Sequence, residues 1–125
     1  MNTYDVYWFR HGTGVCKLQV RAEDFFSNDQ CLKFTHGKEI VATFQWNAIL
    51  GVCPEVDERD IRYSILLKNA EAPISISHGE SVGDQKEEKK GRLAFSTGDK
   101  HFAVFRMDSF VYFNDVRNSG FISFS

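Results

Sequence analysis

The sequence lacks the cysteine pattern of a disulfide framework and the long apolar run of a membrane span. Its three cysteines, Cys16, Cys31 and Cys53, are odd in number and include no CxxC pair, which predicts reduced thiols in a reducing compartment. No apolar stretch approaches the ~20 residues that a membrane helix needs. The first residues have no basic flank followed by an apolar core. We therefore expect a cytoplasmic protein with no membrane association.

The chain also lacks an excess of positive charge. Lysine and arginine total 15 against 17 acidic residues, for a net charge of −2, which disfavours non-specific attraction to nucleic acid or to an anionic membrane. Direct nucleic-acid binding is therefore not expected as the main function. A β-domain that binds a small ligand or nucleic acid in a groove remains the first alternative.

No motif for catalysis, metal binding or cofactor binding stands out. The four histidines, His11, His36, His78 and His101, have no HxH, HxxxH or HExxH spacing, so no metal site is predicted. The nearest nucleophile pair, Cys16 with His11, has no orienting carboxylate at a suitable spacing. The glycines fall in predicted turns and not ahead of a helix, as a phosphate loop requires. We expect no cofactor and no enzymatic activity.

An internal repeat organises the chain. Residues 32–52 and 93–113 align without a gap, and the identical pairs are Leu32/Leu93, Phe34/Phe95, Gly37/Gly98, Ala42/Ala103 and Phe44/Phe105. A repeat of about half the chain predicts a copied supersecondary unit. We expect one domain made of two repeats, residues 1–53 and 61–125, joined by a short connector at 54–60.

Short runs of β-branched and aromatic residues, separated by turn residues, predict strands nearly everywhere. The predicted strands are 4–9, 15–21, 31–35, 39–46 and 48–53 in the first repeat, and 61–68, 73–78, 92–97, 101–106 and 110–115 in the second. The fold class is all-β with little helix. Two tandem antiparallel β-meanders are expected to pack as one sandwich or partly open barrel.

Two segments depart from the repeat. Residues 79–91 are longer and more highly charged than the corresponding part of the first repeat, which predicts a solvated loop. The alternative is a segment that becomes ordered and clamps a partner when it binds. The tail, residues 121–125, alternates apolar and polar residues and predicts a final edge strand. An exposed edge invites pairing with another chain, so a structural protein that oligomerises through this edge is the second alternative.

Two groups of residues are candidates for binding a partner. Phe25 and Phe26 are adjacent, and two neighbours in an extended segment cannot both face inward. One ring is therefore expected to be exposed or packed between the repeats. The connector carries the acidic residues Glu55, Asp57, Glu58 and Asp60. A solvated surface explains them, and the sharper hypothesis is an acidic patch that meets a basic protein surface.

The pattern Leu32-Lys33-Phe34, Gly37, residues 39–44 and Ile49-Leu50-Gly51-Val52 resembles small uncharacterised bacterial and phage proteins built as one β-meander. The resemblance implies a product of a phage or other mobile element, acting in the cytoplasm of a bacterial host. Small acidic proteins of this kind often act by surface occlusion, as anti-CRISPR and other anti-defence inhibitors do. The resulting hypothesis is a non-enzymatic protein-binding module that inhibits another protein, and homo-oligomers are compatible with it.

Overall fold

The computed structural model describes residues 1–118, which form twelve β-strands and one short α-helix. The strands are β1 (Asn2–Arg10), β2 (Gly14–Ala22), β3 (Asp24–Ser27), β4 (Cys31–His36), β5 (Glu39–Gln45), β6 (Gly51–Pro54), β7 (Ile61–Leu67), β8 (Ile74–Ser77), β9 (Ser81–Val82), β10 (Arg92–Thr97), β11 (Lys100–Arg106) and β12 (Phe110–Asp115). The helix α1 is Gln85–Lys89, and single 3-10 turns lie at Trp46–Ala48 and Val116–Asn118. The predicted edge strand at 121–125 lies outside the described residues.

The strands form three sheets in which every pair is antiparallel. The largest has the order β2-β1-β6-β11-β10-β9, and two smaller sheets have the orders β3-β4-β5 and β12-β7-β8. Over residues 1–118 the six-stranded sheet is open, with β2 and β9 at its edges. The all-β, antiparallel fold class is thus confirmed. No helix in the described part of the chain is long and apolar enough to cross a membrane.

The six-stranded sheet is the middle layer of three. Successive residues of a strand face opposite sides of its sheet, and here both sides are apolar. Val52 packs with Tyr4 and Phe34 in a core beneath the β3-β4-β5 sheet. The next residue, Cys53, packs with Tyr63 in a second core beneath the β12-β7-β8 sheet. The two small sheets therefore cover opposite faces of the central sheet.

Strand pairing follows the same plan in the two halves of the chain. In the first half β1 pairs with β2 and β6, and β4 pairs with β3 and β5; in the second half β7 pairs with β8 and β12, and β10 pairs with β9 and β11. This differs from a simple meander, because β1 takes the distant β6 as its second partner. The halves join where β6 pairs with β11. The duplication proposed from the repeat stays a prediction.

Regular structure is present in two segments for which neither a strand nor a helix was predicted. The connection 22–30 includes β3, which pairs with β4. The segment 79–91, predicted to be a solvated loop, contains β9 and α1. That prediction was wrong because three polar contacts order the segment. The Asp84 side chain accepts hydrogen bonds from the backbone N–H groups of Lys86 and Glu87, and the buried Glu87 pairs with Arg92 at 2.6 Å.

Candidate functional site

Phe25 and Phe26 lie on opposite faces of the β3-β4-β5 sheet. Phe25 is opposite Phe34 in β4 and faces the core, where it is 8% exposed and its ring centroid is 5.4 Å from that of Tyr4. Phe26 is opposite Lys33 and is 48% exposed. The expectation that the two rings separate is met. Phe26 is available to a partner, whereas Phe25 belongs to the core.

The acidic residues of the connector are Glu55, Asp57, Glu58 and Asp60. Glu55 and Glu58 are exposed, but the two aspartates are paired within the chain. Asp57 accepts hydrogen bonds from the side chain and backbone of Arg59, which lower its pKa. Asp60 accepts a 2.7 Å hydrogen bond from Arg62 and contacts His78 at 2.8 Å, and both contacts lower its pKa. The negative charge that this connector presents to a partner is therefore partly neutralised.

The histidine and cysteine contacts are structural in character. His101 Nε2 lies 2.8 Å from Asp84 Oδ2, and Asp84 also caps α1. Cys53 is 1% exposed, and burial raises the pKa of its thiol to about 12, so little thiolate forms near neutral pH. Cys16 Sγ lies 3.8 Å from the carbonyl oxygen of Gly14. Residues 1–118 bring together no group of three metal-ligating side chains.

The two aligned strands β5 and β11 differ in what covers their outer edge. β11 pairs with β6, where Phe105 is opposite Gly51, and the neighbouring Ala103 and Phe105 side chains are fully buried. Within the described residues, β5 is the last strand of its sheet. Its residues at the aligned positions, Ala42 and Phe44, are identical in type but only partly buried. The β5 edge thus leaves apolar surface exposed where the β11 edge is closed by a strand.

The β5 edge also carries two aliphatic side chains in solvent. Ile40 is 53% exposed and Val41 is 49% exposed. A register shift between Phe34 and Thr35 places Ile40 opposite Thr35 and leaves Val41 without an opposite residue in β4. This bulge turns both aliphatic side chains away from the core. An exposed apolar strand edge is a surface that pairs readily with another chain.

β12 is the strand aligned with β6, and it is the last strand of its sheet among those that residues 1–118 form. Its exposed residue Val111 is 63% accessible. Phe113 packs its ring edge-on against Phe95 at a centroid distance of 5.9 Å. Tyr112 stands at the position aligned with Gly51. The sheets that contain β5 and β12 cover opposite faces of the central sheet, so these two edges do not meet within one molecule.

Comparison with protein-family models, with curated proteins and with solved structures finds no significant match to this chain. The candidate site is therefore defined by the structure itself. Sequence reasoning selected Phe26 but missed the β5 edge. The signal that could have found it is the contrast between the identical pair Phe44/Phe105 and the unlike pair Gly51/Tyr112.

Proposed function

We propose that this protein is a non-enzymatic protein-binding module that pairs the edge of β5 with an extended segment of a partner protein. The observation that carries the proposal is the difference between β11 and β5. The same alanine and phenylalanine are fully buried in β11, which has β6 beside it, and only partly buried in β5, which has no strand on its outer side among residues 1–118. A partner strand beside β5 would bury more of Phe44, as Gly51 in β6 does for Phe105.

Main-chain groups supply the second part of the proposed binding. Across the β11–β6 junction the backbone N–H of Arg106 donates to the carbonyl oxygen of Leu50 at 2.9 Å. Gln45 occupies the aligned position in β5, so its N–H is expected to point outward, and by the alternation of an antiparallel strand so is that of Thr43. Strand addition uses such groups for affinity and side-chain contacts for specificity.

The exposed side chains around the edge extend the proposed contact surface. Ile40 and Val41 lie on β5 itself, and Phe26 lies on the outer face of the same sheet. Large apolar side chains are common anchors in protein interfaces. The finer proposal, an inhibitor of phage or mobile-element origin that acts by surface occlusion, is supported by the sequence resemblance alone.

The experiment is a selection of peptides from a random display library against the full chain and two variants. Thr43→Pro removes an outward N–H from an edge position, where proline is tolerated; Thr43→Ala keeps that N–H and is the matched control. Circular dichroism checks that both variants are folded. We expect peptides that are enriched on wild type and Thr43→Ala but lost on Thr43→Pro. Peptides that bind all three proteins equally, or no enrichment at all, would contradict binding at β5.

A further inference from the structure

The internal junction between β6 and β11 indicates what kind of strand fits β5. We infer that the β5 edge accepts an extended segment of a partner protein that places a glycine against Phe44, with a β-branched residue next to it. This inference rests on the proposed function, because it names the partner of the same edge.

The glycine requirement follows from the packing of Phe105. A Cβ built on Gly51 would lie 2.1 Å from Cδ1 of the Phe105 ring, and the ring carbons Cγ and Cε1 would be within 2.7 Å. Real Cβ atoms do not approach other atoms so closely. Only glycine therefore fits opposite Phe105 while the ring keeps this orientation.

The ring of Phe44 shares one packing contact with that of Phe105, which also lies 6.3 Å from the ring of Tyr7. Phe105 meets Phe95 edge-on, with an interplanar angle of 87° and a centroid distance of 6.3 Å. Phe44 meets the aligned Phe34 edge-on, with an angle of 83° and a distance of 5.8 Å. A strand added to β5 in the register of β6 would consequently meet the Phe44 ring where Gly51 meets Phe105.

The neighbouring position favours a compact apolar residue. In the internal junction Val52 is opposite Val104, and both side chains are fully buried. Thr43 is the β5 residue aligned with Val104, and its β-branched side chain is exposed. A β-branched residue of the partner opposite Thr43 would form a favourable cross-strand pair.

A second copy of this chain that paired its β12 with β5 would be a poor occupant of this edge. This pairing would bring Tyr112 to the position that Gly51 holds in the internal junction. The Cβ and ring of Tyr112 would then face Phe44. This difference favours another protein as the partner.

The test uses two synthetic peptides and the isotopically labelled full chain. The first peptide has the sequence of residues 48–55 with serine in place of Cys53, and the second differs only by valine in place of Gly51. Backbone amide shifts in β5 report binding by nuclear magnetic resonance. We expect the glycine peptide to shift β5 amides and the valine peptide to bind at least about tenfold more weakly, a difference of ~1.4 kcal/mol. Phe44→Leu, with a smaller side chain, is expected to reduce that preference.

Three results would overturn the inference, and they separate it from the proposed function. Equal affinity of the two peptides would refute the glycine requirement while leaving strand addition at β5 intact. Shifts in β11 instead of β5 would show exchange with the chain's own β6. If neither peptide binds, the result of the library selection separates the two proposals. Selected peptides that depend on β5 but share no glycine would refute the inference alone. A selection that yields no β5-dependent peptides would refute the proposed function as well.

Discussion

Gly51 lies directly beneath the ring of Phe105, at the point where the two halves of the chain join. The two residues are opposite each other in the β6–β11 pair. Gly51 does not have a positive φ, so its backbone conformation is open to any residue. Glycine is therefore required here by the lack of room for a side chain and not by its backbone torsion angles, because a Cβ would overlap the Phe105 ring.

The first prediction concerns this contact. Gly51→Ala is expected to destabilise the protein by about 1–3 kcal/mol, because a methyl group forced into a packed core displaces its neighbours. Urea denaturation of the full chain measures the change. Phe105→Leu opens space at the ring, so the alanine should cost less in that background than in wild type. A free-energy change within about 0.5 kcal/mol of zero for Gly51→Ala would contradict the packing account.

Much of the strand content could be predicted from the sequence because alternating apolar residues mark half-buried strands. Leu32 and Phe34, for example, alternate with Lys33, and the structure buries both in one core. The β3 strand was missed because it has only four residues and lies among polar ones. A short strand forms when a neighbour pairs with it, and that neighbour is not visible from local periodicity.

The candidate site was harder to predict for a different reason. The open edge of β5 depends on which strands pair across the molecule, and the aligned sequences of β5 and β11 are alike in their core-facing residues. The strands aligned outside them differ, with Gly51 in β6 and Tyr112 in β12. An internal repeat therefore predicts similar local structure in β5 and β11, but it does not predict which of the two has another strand paired beside it.

The second prediction separates the two adjacent phenylalanines. Phe25→Ala removes a core ring that contacts Tyr4 and Phe34, so we expect a loss of about 3–5 kcal/mol in the free energy of unfolding. Phe26→Ala removes an exposed ring and should change stability by no more than about 0.5 kcal/mol. Denaturant unfolding of both variants tests this. Similar losses for the two substitutions would mean that Phe26 also packs in a core.

The third prediction concerns the buried ion pair that anchors α1. Glu87 and Arg92 have side chains 7% and 3% exposed, and their atoms Oε2 and Nε are 2.6 Å apart. Glu87→Ala leaves a buried guanidinium without its carboxylate, which we expect to cost about 3–5 kcal/mol. The matched control is Asp29→Ala, which breaks the exposed pair with Lys90 and should cost at most about 1 kcal/mol. Equal effects in thermal or urea unfolding would show that the buried pair contributes no more than a surface pair.

The last prediction is a pH dependence that arises at Asp84. A hydrogen bond from His101, followed by one from the backbone N–H of Lys86, lowers the pKa of this carboxyl group in the folded protein. A lowered folded pKa means that the charged form stabilises the fold above the ordinary carboxyl pKa of ~3.9, and that this stabilisation is lost as the pH falls through the lower folded value.

Asp84→Asn keeps an oxygen that can accept the capping hydrogen bond but removes the charge that faces His101. We therefore expect wild type and Asp84→Asn to differ in stability above about pH 4 and to converge as the pH falls below it. Asp84→Ala removes the cap as well and should remain less stable than Asp84→Asn across the whole range, by about 1 kcal/mol. Urea unfolding at a series of pH values measures all three proteins. An advantage of wild type over Asp84→Asn that persists unchanged in acid would show that it does not arise from the charge of Asp84.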